Sequence, residues 1–363
     1  MIDRRLLSNM DWILIALLLW NSALGVVFIY SSSHYLPGNH YLKQIIWIVL
    51  SLVLLFLFLM VDYKNFLTYS LHFYIIFLVL LAGMLFFGKQ IAGAKSWIRF
   101  PFFQVQPSEL IKIFIILLLA QIFSEYKEKY FSLSKLLLSG GAISLPILLV
   151  VLQPDLGTTL TYFPIILAAL ILAGFSRKSF VFILIFALIL SFGVWNFCLK
   201  EYQKQRLITL IFPLQDPLGA GYHILQSKIA IGSGGFLGKG YKKGTQSQLR
   251  FLPARHTDFI FSVIGEEFGY AGIIVVFLSY FLLLSRLFHS VDKSRDRAGI
   301  YIIFIVAMMI AFQFFVNVMM VVGLFPVIGI PLPFLSYGGS SLLTNYFAVS
   351  LVLNVKMRRF VNV

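Results

Sequence analysis

The chain has 363 residues, of which 60% are hydrophobic and 12% charged, with 29 Lys and Arg against 14 Asp and Glu and a formal net charge of +15. A soluble domain carries about 45–50% apolar and about 25% charged residues, so this composition leaves too little polar surface for a water-soluble enzyme, and it excludes disorder for the same reason. With a mean hydropathy of +0.92, a lipid bilayer is the remaining solvent. The basic excess then suits loops held against anionic lipid, and no nucleic-acid partner is expected.

Arg4 and Arg5 precede an apolar run from Trp12 to Tyr30 that reads as an uncleaved signal-anchor. At about 20 residues per crossing, hydropathy places ten helices, at 12–31, 43–61, 70–87, 107–124, 136–153, 157–174, 178–198, 259–284, 299–323 and 339–356. The expected fold is all-α: a polytopic integral membrane protein of about ten transmembrane helices, one domain over 1–363, with a large extracytoplasmic loop at 199–257. The loops on the N-terminal side hold most of the short-loop Lys and Arg, while those opposite hold only Lys43, Lys89, Lys95 and Arg99. This bias puts both termini in the cytoplasm. Cys198 is the single cysteine, so no internal disulfide is possible.

Five acids then fall in helices, or at helix ends, on the outer half of the membrane: Glu109, Asp155, Asp258, Glu266 and Glu267. Ionisable groups there are costly and mark functional sites. Glu109 and Lys112 share a helix face at i and i+3, either as a self-satisfying ion pair or as a site. In Gln153–Thr159, Asp155 either caps the next helix or faces a polar cavity. Arg255, His256, Thr257 and Asp258 lead into the eighth helix. Asp258 there is either its cap or a buried carboxylate whose raised pKa suits a general base.

Trp97, between Lys95 and Arg99, is a membrane-belt anchor or a pyrophosphate-facing residue. The glycine-rich run from Ile231 to Gly240 fails as a phosphate loop, because Ser233 stands at the first glycine position and Gly240 at the Ser/Thr position. It reads as a flexible, amphipathic surface loop. The histidines form no metal-ligand pattern, so any metal would be a hard cation on carboxylates and phosphate oxygens. Pro326, Pro331 and Pro333 break an apolar run before Phe334–Ser341 opens the last helix. Such non-helical backbone is tolerated only inside protein or around a cavity, so this re-entrant segment should wall a polar cavity.

Three stretches together, QPDLGTT at Gln153–Thr159, FLPARHTDFIFSVIGEEFG at Phe251–Gly269 and NVMMVVGLFPVIGIPLPFLSYGGSS at Asn317–Ser341, resemble the SEDS family of bacterial shape, elongation, division and sporulation proteins. Gln226–Leu249 is more similar to the elongation members than to the division members. Ala254 departs from the family, which usually has glutamate there. The resemblance covers essentially the whole chain and implies a peptidoglycan glycosyltransferase of the bacterial cytoplasmic (inner) membrane. That enzyme would polymerise lipid II, an undecaprenyl-pyrophosphate-linked disaccharide-pentapeptide, beside a class B penicillin-binding protein and other elongation-complex proteins. It implies Asp258 as the essential carboxylate, and Trp97, Glu109, Lys112 and Asp155 as family positions.

On that reading Asp258 acts as general base, and Arg255, His256 and Thr257 join it at the substrate. The leaving pyrophosphate would be stabilised by Lys112, by Arg206 and Arg255, or by a divalent cation, Mg or Mn, held at Asp258 through the substrate. Two rival readings are a lipid II flippase and a non-catalytic scaffold for the penicillin-binding protein.

Overall fold

The computed structural model describes residues 9–91, 94–100, 103–125, 133–174, 196, 201–211 and 219–359. Apart from residue 196, the expected helix at 178–198, with Cys198, lies outside the described residues, as do Arg4 and Arg5.

The first crossing is α1 (Trp12–Ser33), whose N-cap, Asp11, accepts from Leu14 N at 3.2 Å. It is followed by α2 (His40–Met60), a short α3 (Tyr63–Thr68) and α4 (Ser70–Phe87). Next come β1 (Lys89–Ile91), β2 (Ala94–Arg99) and β3 (Gln104–Val105), an antiparallel ribbon in the order β1-β2-β3. Hydropathy gave no hint of this ribbon and left the stretch as a loop. Pro107 sits in the first turn of α5 (Pro107–Ser124), where its missing N–H costs nothing. Then follow α6 (Leu133–Leu152), α7 (Leu156–Thr161) and α8 (Phe163–Ala173).

The large loop is built of α9 (Glu201–Ile211), α10 (Ala220–Ser233) and α11 (Thr245–Gln248). After it come α12 (Ile260–Asp292), α13 (Arg297–Val321) and α14 (Gly339–Arg358). Among the described residues, seven spans are long and apolar enough to cross a membrane, α7 and α8 counting as one. The last helix, α14, is not among them, although the sequence reading expected a crossing there. Its residues are buried from Ser340 to Arg358 almost without a break. A helix enclosed by other helices need not be apolar, because it is not solvated by lipid.

Asp11 fastens one end of the bundle. Its carboxylate accepts from Arg286 Nε at 2.8 Å on α12 and from Lys356 Nζ on α14. Desolvation opposes its charge, but these two donors hold its pKa below the usual carboxylate range. Hydrogen bonds from Ser279 to Asn21 and from Ser31 to Glu267 show α1 and α12 running antiparallel. Asp258 therefore lies at the end opposite Asp11.

The glycine-rich run is not a flexible surface loop. Tyr270 N donates to Gly235 O at 2.9 Å and Ala271 N to Phe236 O at 3.0 Å, while Lys239 N and Gly240 N donate to the carbonyls of Glu266 and Glu267. Backbone meets backbone at a break in α12, where Gly269 adopts φ 62° and ψ −155°. A Cβ at Gly234 would overlap the Gly265 carbonyl oxygen, and one at Gly238 the Glu267 carbonyl oxygen. The glycines serve this close approach and not a phosphate.

Gly234→Ala and Gly238→Ala should each destabilise the protein by about 1–3 kcal/mol through overpacking. Gly232→Ala, inside α10 and with nothing within 4 Å of its Cβ, should hold stability or raise it by up to about 1 kcal/mol. Thermal unfolding of the three variants in one detergent checks the contrast.

Candidate functional site

The turn that ends the large loop sets the position of Asp258. Thr257 N and Phe259 N both donate to Ala254 O, at 3.1 and 3.2 Å. Arg255 is buried, and its Nε donates to Ser32 O at 2.5 Å, anchoring the turn to the end of α1. Desolvation lowers the Arg255 pKa. The N-cap of α12 is Phe259, with no side-chain cap. The Asp258 carboxylate is thus not used for capping, which removes the plainer of the two sequence readings.

From the other side, Asn317 Nδ2 on α13 donates to Asp258 O at 2.9 Å and to Ile330 O at 2.8 Å. This one amide joins the Asp258 turn to the non-helical stretch between α13 and α14. That stretch is enclosed, with Ile328, Ile330, Leu332, Phe334 and Leu335 all buried. Its Gly329 has φ 76°, and a Cβ there would stand 3.5 Å from Asp258 Oδ2. The side chain of Asp258 is half-buried. Desolvation raises its pKa to about 6, and the charge of Arg206 on α9 pulls in the opposite direction. His256, two residues away, is pushed down to about 4 by desolvation and by the charges of His40 and Arg255. At neutral pH the turn presents a carboxylate close to its titration range and an uncharged imidazole.

A second polar layer is separated from Asp258 by the wall at Ile328 and Gly329. Gly157 of α7 packs on it so closely that a Cβ would overlap Ile328 O. Asp155 is the N-cap of α7, accepting from Thr158 N at 3.1 Å, and also accepts from Gln106 Nε2 at 2.8 Å. Capping, the plainer expectation for Asp155, is what the geometry shows. Behind it Lys112 Nζ pairs with Glu109 Oε1 at 2.7 Å and donates to Thr161 Oγ1 at 3.2 Å. Lys112 is fully buried. A contact between this ammonium and a substrate phosphate, as the sequence suggested, requires the pair to open first. Glu109 Oε2 is buried with no hydrogen-bond partner among the described residues.

Trp97 lies in β2 opposite Lys89 and is half-buried. Ser340 Oγ accepts from Gln106 N at 3.0 Å and donates to Gln104 O at 3.4 Å, which brings the ribbon to the start of α14 and to the Asp258 end. Glu266 and Glu267, flagged as intramembrane acids, belong to the scaffold. Glu266 accepts from Lys239 Nζ, Thr245 Oγ1, Gln246 N and Ser247 N. Glu267 accepts from Ser31 and Gln248.

The expected divalent cation finds a poor donor set. Among the described residues no group of three His, Cys, Asp or Glu side chains comes together. Asp258 contributes one carboxylate, so a cation here would take most of its ligands from a substrate's oxygens. Sequence reasoning singled out none of His40, Asn317, Gly329 and Tyr337 at this site; the last three lie within the Asn317–Ser341 stretch that it read as a whole, and His40 carried no signal.

Residues 11–360 match the FtsW, RodA and SpoVE family of cell cycle proteins. The chain is 34% identical to the peptidoglycan glycosyltransferase RodA of Treponema pallidum, over 97% of this chain and 98% of the relative. It is 41% identical to the peptidoglycan glycosyltransferase MrdB of Escherichia coli K12, over 79% and 77%. A chain of a solved peptidoglycan synthase complex that coordinates polymerization and crosslinking superposes with a TM-score of 0.84 at 30% identity, covering 97% and 98% of the two chains. The crystal structure of the rod shape determining protein RodA of Thermus thermophilus superposes with a TM-score of 0.72 at 28% identity, with the same coverage.

Lys112→Met leaves the Glu109 carboxylate buried and unpaired and should cost about 3–5 kcal/mol. Adding Glu109→Gln removes the stranded charge and should recover most of that loss. Unfolding of the two variants side by side checks the sign.

Proposed function

The chain belongs to the FtsW, RodA and SpoVE family and is a peptidoglycan glycosyltransferase of the membrane, and on that premise we propose that Asp258 is the general base of lipid II polymerisation during cell elongation. The observation that carries this role is the Asp258 carboxylate itself: half-buried, not used as a cap, and raised by desolvation to about 6. A base works best when its pKa lies near the working pH.

The Asp258 end faces outward and both termini face the cytoplasm. The basic bias of the short loops supports this orientation. The GlcNAc 4-hydroxyl of one lipid II attacks the anomeric carbon of the MurNAc carried by another lipid. Asp258 takes the hydroxyl proton, the new O–C bond forms, and the bond to undecaprenyl pyrophosphate breaks. The single displacement inverts the anomeric centre. Arg206, whose charge acts on Asp258, favours the ionised base and attracts the pyrophosphate. Trp97 places a saccharide at the ribbon's edge. The proposed partner is a class B penicillin-binding protein that crosslinks the emerging strand, a reading supported by the likeness to a chain of a synthase complex.

The test is polymerisation of lipid II by the purified chain, with and without its partner. Asp258→Asn should reduce turnover by about 10²–10⁴-fold, the usual contribution of a positioned base. Full activity in that variant removes Asp258 from the role, and lipid transport across vesicles without polymer would favour a flippase. The carboxylate is the working form, so turnover should rise with pH through about 6 and fall about tenfold per unit below it. A pH–rate profile checks this. Trp97→Ala should raise KM for lipid II while the thermal midpoint stays unchanged.

A further inference from the structure

Three stretches distant in sequence meet at the Asp258 end and lock two imidazoles together. The first turn of α2 carries His40 and Gln44. Gln44 Nε2 donates to Ser336 O at 3.2 Å, and Gln44 Oε1 accepts from Gly338 N at 3.4 Å. The turn before Asp258 carries His256, whose carbonyl accepts from Tyr337 N at 2.9 Å, while Ser336 Oγ donates to Thr257 O at 2.6 Å. The His40 and His256 rings stand 4.7 Å apart at 35°. Tyr337 closes the group, 5.0 Å from His40 and 5.7 Å from His256.

The two rings are neighbours, yet they do not satisfy each other. Nδ1 of His40 and Nδ1 of His256 are both buried atoms with no hydrogen-bond partner among the described residues. Buried polar atoms are nearly always paired, so two orphans on neighbouring rings have room for a shared polar partner from outside the chain. The surrounding hydrogen bonds fix both backbones, so a hydroxyl would reach the two Nδ1 atoms by a turn of the rings and not by a shift of the chain.

We propose that His40 and His256 together hold a hydroxyl of the saccharide beside Asp258, one imidazole donating and the other accepting. This rests on the glycosyltransferase reading. A sugar hydroxyl is at once donor and acceptor, and a neutral imidazole offers one of each. The Tyr337 ring adds an aromatic face of the kind that stacks on a pyranose. His256 stands two residues before Asp258 on one closed turn, so a hydroxyl held there is presented next to the carboxylate. His40 is a substrate-binding residue in this scheme and takes no proton from the reaction.

The experiment uses the full chain reconstituted in lipid, with lipid II as the probe and Asp258→Asn run beside it. His40→Phe keeps an aromatic ring but loses both nitrogens. It should keep the thermal midpoint and raise KM for lipid II about tenfold, with a smaller change in kcat, as expected for one lost hydrogen bond. His40→Gln retains a donor and an acceptor and should stay within about threefold of the parent. Parent-like kinetics in His40→Phe overturns the proposal, and so does an equal loss in both variants, which would mean that ring packing alone matters. Where His40→Phe lowers the thermal midpoint, His256→Phe is read in the same way, and parent-like kinetics there overturns the pair. A parent that polymerises while His40→Phe does so equally well removes only this inference. A parent that makes no polymer removes the glycosyltransferase reading and this inference with it.

Discussion

Glu266 has no exposed surface and still carries a charge that four donors from one loop surround. An ionised carboxylate inside a helical bundle survives only when its oxygens are fully engaged. Here that requirement draws Lys239, Thr245, Gln246 and Ser247 down onto α12, and with them the whole stretch from α10 to the Asp258 turn. The loop is long in sequence but has little freedom left. Its glycines let the backbone lie against the broken turn at Gly269, and Arg255 then ties its exit to Ser32.

The position of Asp258 follows from this attachment on one side and from Asn317 on the other. The Asn317 amide holds the Asp258 carbonyl and the Ile330 carbonyl together, so the Asp258 turn and the non-helical wall at Gly329 are tied to each other. Behind that wall, Gly157 allows α7 to approach until backbone touches backbone. The layer of Gln106, Asp155, Thr158, Lys112 and Glu109 is the support of the wall.

Much of the architecture was legible in the sequence, because hydropathy over twenty residues reports the solvent around a helix directly. Helices near 12–31, 70–87 and 107–124 are found almost as read. The turn at Asp155 and the proline at the start of α5 were legible as well, since capping depends on neighbours in sequence. The ribbon from β1 to β3 was not, because its ten or so residues carry no clear alternation and take their order from α4, α5 and α14. The run from Ile231 to Gly240 was misread as flexible. Its glycines answer to backbone atoms on another helix, and no local pattern reports that distance.

The amino-acid sequence alone determined that this chain is built for a bilayer, where most of its long apolar helices run, and which acids would be costly there. Those properties depend on residue type and short-range spacing. Tertiary structure alone decided which of the costly acids is held in a scaffold and which is left without a capping role. Glu266 and Asp258 lie eight residues apart in one motif, yet one is enclosed by donors and the other is left at an end of the bundle. Desolvation and hydrogen bonding arise from atoms that are far away along the chain, so they exist only once the chain has folded.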